Sequence, residues 1–103
     1  MDAAHEAAPL PDDAPHLLLV DDDQRIRALL ARFLRDNGYR VTAAASAEEA
    51  RARLQSMTFD LLILDVMMPG ESGFELARAL RASSSVPILM LTARGEPADR
   101  VEG

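Results

Sequence analysis

The chain has 103 residues, 49% of them hydrophobic and 27% charged, which is the length and composition of one folded domain. Its net charge of −6 argues against direct nucleic-acid binding, because phosphate backbones attract basic surfaces, and the lack of cysteine excludes disulfides and thiolate chemistry. No apolar run approaches the roughly 20 residues that cross a bilayer, and residues 1–15 do not resemble a secretory signal, so we expect a cytoplasmic protein without membrane contact.

The first half of the chain predicts a tail, a strand and a helix. Residues 1–15 are rich in Ala, Pro and acidic residues without periodicity, so we expect a disordered tail. Residues 17–20 form a short apolar run closed by three aspartates, which is typical of a strand buried on both faces of a parallel sheet. A helix ending at Asn37-Gly38 follows, because apolar residues recur at helical spacing; they are Ile26, Leu29, Leu30, Phe33 and Leu34.

The rest of the chain continues the alternation of strands and helices. A second strand is predicted over residues 39–45, and Ser46 with Glu49 has the pattern of a capping box that begins a helix. A third strand ends at Asp65, and a Pro- and Gly-rich loop covers residues 67–73. A helix is predicted over residues 74–81 and a fourth strand over residues 86–91. Another helix is predicted to start over residues 97–102. This order predicts an α/β fold, a parallel sheet with helices on both faces.

Polar side chains follow three of these strands at the point where each strand ends. Asp21, Asp22 and Asp23 come after the first strand, Asp65 after the third, and Thr92 after the fourth. Ligands of parallel α/β sheets bind at this edge. Carboxylates that converge there repel one another unless a cation is present, and Mg²⁺ prefers such oxygen ligands. A carboxylate can also attack phosphorus, so we predict that Asp65 accepts a phosphoryl group beside Mg²⁺.

Each of these residues also has an ordinary structural interpretation. An aspartate after a strand often forms a turn or caps a helix, as Asp22 or Asp23 would at the first helix. A threonine in this position often bonds to the loop backbone. Polar groups at the ends of three separate strands nevertheless favour a common site.

Three segments resemble the landmarks of the receiver domain of two-component response regulators. They are LLLVDDD at 17–23, DLLILDVMMPGESGFEL at 60–76 and VPILMLTAR at 86–94. The last two are most similar to the OmpR-type branch, whose members carry a winged-helix DNA-binding domain. The resemblance covers residues 16–103 and implies a flavodoxin-like, doubly wound parallel sheet of order 2-1-3-4-5. It also implies control of transcription by the longer parent protein.

The resemblance assigns a role to each residue of the predicted site. Asp65 corresponds to the phosphoacceptor that takes a phosphoryl group from a sensor histidine kinase, and it is also expected to contribute its carboxylate to the Mg²⁺ site. Asp21 and Asp22 correspond to the acid pair that holds Mg²⁺, and the main-chain carbonyl of Met67 to the third protein ligand. Thr92 corresponds to the hydroxyl that contacts the phosphoryl group.

The chain departs from the family pattern after the start of the fourth helix. A fifth strand and a fifth helix are absent from it, and none of the 103 residues is the lysine that normally pairs with the phosphorylated aspartate. We therefore expect a fragment, whose phosphorylation is slow or whose product is poorly held. We also expect the exposed edge of the fourth strand, or the incomplete fourth-helix region, to favour dimerisation or aggregation.

Three other functions are compared with this one. The first is an interaction module that binds a kinase or another receiver without being phosphorylated. A weaker alternative is a phosphatase of the haloacid dehalogenase type, which needs a second acid where Met67 stands. A Rossmann nucleotide site is weaker still, because aspartates occupy the position of its glycine-rich loop. No conventional enzyme activity is expected beyond Mg²⁺-dependent self-phosphorylation and dephosphorylation.

Overall fold

The computed structural model of the protein describes residues 13–91. Residues 1–12 of the predicted tail, Thr92 and the predicted last helix lie outside the described residues. Within residues 13–91, no helix has the length and apolar character needed to span a membrane. The elements are β1 (His16–Val20), α1 (Gln24–Asp36), β2 (Arg40–Ala44), α2 (Ala47–Ser56), β3 (Leu61–Asp65), α3 (Gly73–Arg81) and β4 (Ile88–Leu91).

The strands form one parallel sheet in the order β2-β1-β3-β4, which confirms the predicted flavodoxin-like order. β1 lies in the interior of the sheet, where Val20 is in register with Ala44 of β2 and Leu64 of β3. Asp65 at the end of β3 is in register with Leu91 at the end of β4. Because all four strands run in the same direction, their carboxyl ends share one edge of the sheet.

Polar residues cap the helices, although one predicted cap differs in detail. Ser46 accepts a hydrogen bond from the Glu49 N–H at 3.1 Å, as predicted, but the Glu49 carboxylate bonds to the Ala45 N–H instead of the Ser46 N–H. The predicted capping box is therefore wrong in its second half. A complete capping box occurs at α3, where Ser72 and Glu75 each accept a bond from the other's N–H at 3.2 and 3.0 Å.

The two faces of the sheet are covered differently. One face packs against α2 and α3 around Leu18, Leu62, Leu64 and Leu76, all of which are fully buried. The opposite face packs against α1 around a smaller set of buried residues, namely Leu17, Leu19, Ala31, Val41 and Ile63. Residues 17–20 are thus buried on both faces of the sheet, as predicted.

The helix predicted from the apolar spacing is present as α1, but three of the five residues that form this pattern are exposed. Leu29 is 68% exposed, Phe33 61% and Ile26 41%, whereas Leu30 and Leu34 are half-buried. α1 contacts β1 and β2, so only the side of the helix that faces those strands is buried. The periodicity correctly predicts a helix but overstates how much of its apolar surface is covered in residues 13–91.

The end of the predicted tail contacts the sheet. Ala14 is buried, and its carbonyl accepts a bond from the Arg40 side chain at 2.9 Å. The Pro15 carbonyl accepts a bond from the Arg40 N–H at the same distance. The boundary between tail and domain at residue 16 stays a prediction.

Candidate functional site

Three carboxylates meet at the carboxyl-end edge of the sheet. Asp21 directly follows β1, Asp22 follows it, and Asp65 is the last residue of β3. One carboxylate oxygen from each of the three lies within 4.8 Å of the others. Asp21 and Asp65 are buried, while Asp22 is exposed. The structure therefore brings together three of the five residues singled out from the sequence.

The sheet itself holds the two buried carboxylates close together. The register of Val20 with Leu64 places the next residues, Asp21 and Asp65, side by side. The Asp21 N–H donates to the Ala44 carbonyl at 3.1 Å, so the β1–β2 hydrogen bonding continues into the site. The backbone of Asp21 is consequently held by the hydrogen bonding of the sheet.

Hydrogen bonds of the β1–α1 turn fix the Asp21 peptide and carboxylate. The Asp23 N–H donates to Asp21 Oδ1 at 2.9 Å, and Arg27 Nη1 donates to the Asp21 carbonyl oxygen at 2.7 Å. The sequence does not predict the contact of Arg27, because the helical spacing of the residues around it does not indicate a hydrogen bond to the turn.

Asp23, one of the two aspartates that could cap the first helix, is the residue that caps it. Its Oδ1 accepts bonds from the N–H groups of Arg25 and Ile26 at 3.0 and 3.1 Å, which caps α1. Asp22 is not the cap. Its carboxylate belongs instead to the cluster with Asp21 and Asp65.

The carboxylate of Asp65 is held by one backbone donor and crowded by two acids. The Met67 N–H donates to Asp65 Oδ1 at 3.0 Å. Burial raises the pKa of the Asp65 carboxyl above its ordinary value; the Met67 bond opposes this, and the charges of Asp21 and Asp22 raise it further. Three carboxylates in this space favour a bound cation, because a cation removes their mutual repulsion.

The donor set fits a magnesium ion. Carboxylate oxygens are the protein ligands that Mg²⁺ prefers, and it usually takes only one or two of them together with water and phosphate oxygens. The cluster opens into a cavity of about 460 Å³, which gives space for water and a phosphoryl group; apart from the three acids, it is lined by Asp23, Ile26, Leu30, Met67 and Leu91.

The roles of the other two predicted site residues, Met67 and Thr92, stay predictions for different reasons. The Met67 side chain is 57% exposed and borders the cavity, but the proposed ligand is its carbonyl, whose role stays a prediction. Thr92 lies outside the described residues, so its contact with a phosphoryl group also stays a prediction.

Gly73 shapes the loop after Asp65 by permitting a close backbone approach. A Cβ atom at this position would lie 2.3 Å from the Asp65 carbonyl oxygen and 3.0 Å from its carbonyl carbon. Only glycine can pack against the end of β3 at this distance.

Comparison with known proteins identifies a family for this site. The response regulator receiver domain matches residues 17–103. The chain is 57% identical over 89 residues to the protein PetR of Rhodobacter capsulatus and 45% identical over 87 residues to the transcriptional regulatory protein ResD of Bacillus subtilis, an OmpR-type regulator. These matches cover 86% and 84% of this chain, which spans 38% of the length of PetR and 36% of that of ResD.

A solved structure gives the same result for the fold. The response regulator TrrA of Thermotoga maritima, determined in complex with Mg(2+)-BeF, is 38% identical, with a TM-score of 0.76 over 85% of this chain and 76% of TrrA. The chain therefore belongs to the response regulator receiver domain family.

Proposed function

We propose that this chain is the phosphoacceptor module of a two-component response regulator, with Asp65 as the acceptor and Mg²⁺ as the cofactor. The observation that carries the proposal is the convergence of buried Asp65 with Asp21 and Asp22 at the ligand-binding edge of a parallel sheet. The phosphoryl donor is a sensor histidine kinase, and the parent protein controls transcription. The transcriptional relative ResD supports this output.

The transfer reaction makes clear demands on the residues of the site. One oxygen of Asp65 forms a bond to phosphorus while the bond from phosphorus to the donor's imidazole nitrogen breaks, and that nitrogen leaves with the bonding pair and takes up a proton. The Met67 N–H orients the acceptor carboxylate through Oδ1. Asp21, Asp22 and the Met67 carbonyl hold Mg²⁺, which supplies positive charge to the phosphoryl oxygens when bound. Thr92 contacts one of these oxygens.

Two further observations support magnesium at this place. The pKa of Asp65 is raised by burial and by the neighbouring acids, so a cation that binds the ionised form relieves an existing repulsion. The related protein TrrA was solved in complex with Mg(2+)-BeF.

Mass spectrometry after incubation with acetyl phosphate tests the proposal. The wild-type chain is expected to gain one phosphoryl group with Mg²⁺ present and none with chelator. Asp65→Asn is expected to gain none, whereas the matched variant Asp60→Asn, altered at the opposite edge of the sheet, is expected to behave as wild type. Equal labelling of wild type and Asp65→Asn contradicts the proposal.

The absence of lysine from the 103 residues sets an expectation for the rate. No lysine ammonium group of this chain can offset charge on the phosphoryl oxygens, so we expect labelling to be slow and the product to be short-lived. Adding an alkylammonium salt is expected to raise the labelling rate more than the same concentration of a tetramethylammonium salt, which cannot donate a hydrogen bond.

Apolar surface supports a second candidate, an interaction module that includes self-association. Within residues 13–91, β4 pairs with β3 alone, and Leu89 on β4 is 50% exposed beside an unpaired strand edge. Dimerisation through this edge predicts a concentration-dependent mass in sedimentation experiments. A monomer at all concentrations contradicts it. The cytoplasmic location and the lack of direct DNA binding stay predictions, and the net charge of −6 supports the latter.

A further inference from the structure

The loop between β3 and α3 carries the proposed ligand carbonyl and is fixed at both of its ends. At its start, the Val66 N–H donates to the Leu91 carbonyl at 2.9 Å, and the Met67 N–H donates to Asp65 Oδ1 at 3.0 Å. At its end, the Ser72 capping box begins α3. The geometry of the Met67 peptide therefore depends on how the residues between these anchors are held.

An arginine of α2 contacts this loop at Glu71, the residue directly before Ser72. Arg51 Nε donates to Glu71 Oε1 at 3.3 Å, and Arg51 Nη2 donates to Glu71 Oε2, so the ion pair is bidentate. Among the described residues, residues 68–71 make no hydrogen bonds other than these two. Pro69 and Gly70, which has a φ of +77°, separate this contact from the Met67–Met68 segment.

The position of the Arg51–Glu71 ion pair gives it more effect on the conformation of the loop than the exposure of its side chains suggests. The side chains are 42% and 31% exposed, and such pairs contribute little to global stability. This one, however, joins a helix to a loop that has few other attachments, so it restricts loop conformations. Met68, buried in the core beside α2 and α3, anchors the same loop through apolar contacts.

We propose that Arg51 is a positioning residue for the metal site. Its bidentate bond to Glu71 holds the β3–α3 loop in the conformation that directs the Met67 carbonyl toward the acid cluster, and so it strengthens Mg²⁺ binding. The inference rests on the proposed function, because it assumes that the cluster binds Mg²⁺.

The sign of the mutational effect separates positioning from simple electrostatics. Arg51→Gln removes a positive charge and leaves Glu71 unpaired, which makes the site region more negative and, through the field alone, favours the cation. Positioning predicts the opposite, since a loosened loop weakens binding. Glu71→Gln weakens binding under either account, so Arg51→Gln is the decisive variant.

Magnesium titrations of the 103-residue chain, followed by the amide NMR signals of Asp22 and Met67, give the dissociation constant directly. Arg51→Gln and Glu71→Gln are each expected to weaken Mg²⁺ binding about two- to fivefold, the range that corresponds to the loss of an exposed ion pair. The exchanged pair Arg51→Glu with Glu71→Arg is expected to restore most of the affinity.

Arg53→Gln is the matched control. Arg53 lies on the same helix, its side chain is 41% exposed, and it pairs with Glu49 within α2 and not with the loop. Its Mg²⁺ affinity is expected to equal that of wild type. Metal-free unfolding in urea shows whether any variant acts through global stability instead.

The outcomes separate this inference from the function on which it rests. Wild type that does not bind Mg²⁺ overturns both. Wild type that binds, together with unchanged or tighter binding by Arg51→Gln, overturns the positioning role alone and leaves the phosphoacceptor proposal standing. Equal weakening by Arg53→Gln also overturns it, because the effect then belongs to α2 in general.

Discussion

The two edges of the sheet contrast in how their polar groups are satisfied. At the amino-end edge, the Asp60 carboxylate accepts a bond from the His16 N–H at 2.8 Å, and His16 Nε2 lies 2.7 Å from Thr42 Oγ1. The His16 ring also packs against Phe59 at a centroid distance of 4.6 Å. The polar groups of this edge bond to one another, which is typical of a structural role.

The carboxyl-end edge has the opposite character. Asp21, Asp22 and Asp65 converge there, and no arginine or histidine of residues 13–91 forms a salt bridge with them. Their repulsion raises the pKa of Asp65 in addition to the effect of burial. The difference teaches that a candidate binding edge is recognised by acids that crowd one another without a basic partner, and not by a lack of hydrogen bonds.

The largest expected effect comes from Gly73, which supports the carboxyl-end edge. Gly73→Ala places a methyl group against the backbone of Asp65, and we expect it to lower the free energy of unfolding by about 2–3 kcal/mol. Gly70→Ala meets open space but a positive φ, so it is expected to cost about 1 kcal/mol. Urea denaturation measures both. Equal losses would show that the close approach at Gly73 carries no special cost.

A direct comparison of the two edges uses a single change of the same kind at each. Asp22→Asn removes a proposed ligand and is expected to weaken Mg²⁺ binding by more than about tenfold. Asp60→Asn leaves the cluster intact and is expected to leave the dissociation constant unchanged. Calorimetric titration measures both variants, and similar affinities would mean that the cluster does not bind the ion.

Removing the strain at the cluster is expected to stabilise the metal-free chain. The pKa of Asp65 is raised in the folded state above its ordinary value of 3.8. Between these two pKa values the folded state binds more protons than the unfolded state, so stability falls as pH rises. Asp65→Asn has no carboxyl at this position, so its stability does not fall with rising pH in this way. In chelator at neutral pH it should be more stable than wild type, with the difference vanishing below pH 3.8. A difference that does not vary with pH contradicts this account.

The smallest effect is expected at the amino-end edge. Burial lowers the pKa of His16 and the Arg40 charge lowers it further, while Asp60 opposes the shift. The unfolded state therefore takes up a proton first, so stability is full above about pH 6.5 and declines as pH falls below it. An NMR titration should give a lower midpoint for His16 in the folded than in the urea-unfolded chain, and His16→Gln should remove this part of the pH dependence.

The sequence predicted the sheet and the acid cluster well because both follow from local patterns. A buried apolar run that ends in Asp21-Asp22, and another that ends in Asp65, places carboxylates at one edge once the strands are parallel. No long-range information is needed beyond the preference for parallel strands in alternating α/β chains.

Part of what the sequence missed depends on neighbours that are distant along the chain, and part on local geometry that residue spacing does not determine. The stripe of α1 gave no signal that Leu29 and Phe33 lie beyond the strands that the helix contacts. Ser46–Glu49 and Ser72–Glu75 have the same spacing, yet only the second pair closes a capping box. The contact of Arg51 with Glu71 joins a helix to a loop, and the types of the two residues do not predict it.

The central position of β1 has a consequence for how the site comes into being during folding. β1 pairs with β2 through His16 and Arg40, but with β3 through Leu17 and Leu61, the most distant strand pairing along the chain. The acids after β1 meet Asp65 only when this pairing has closed, and distant pairings are slow to form. A partly folded chain that lacks it has no cluster to offer a cation or a phosphoryl donor. The proposed site therefore forms only in chains in which β1 and β3 have paired.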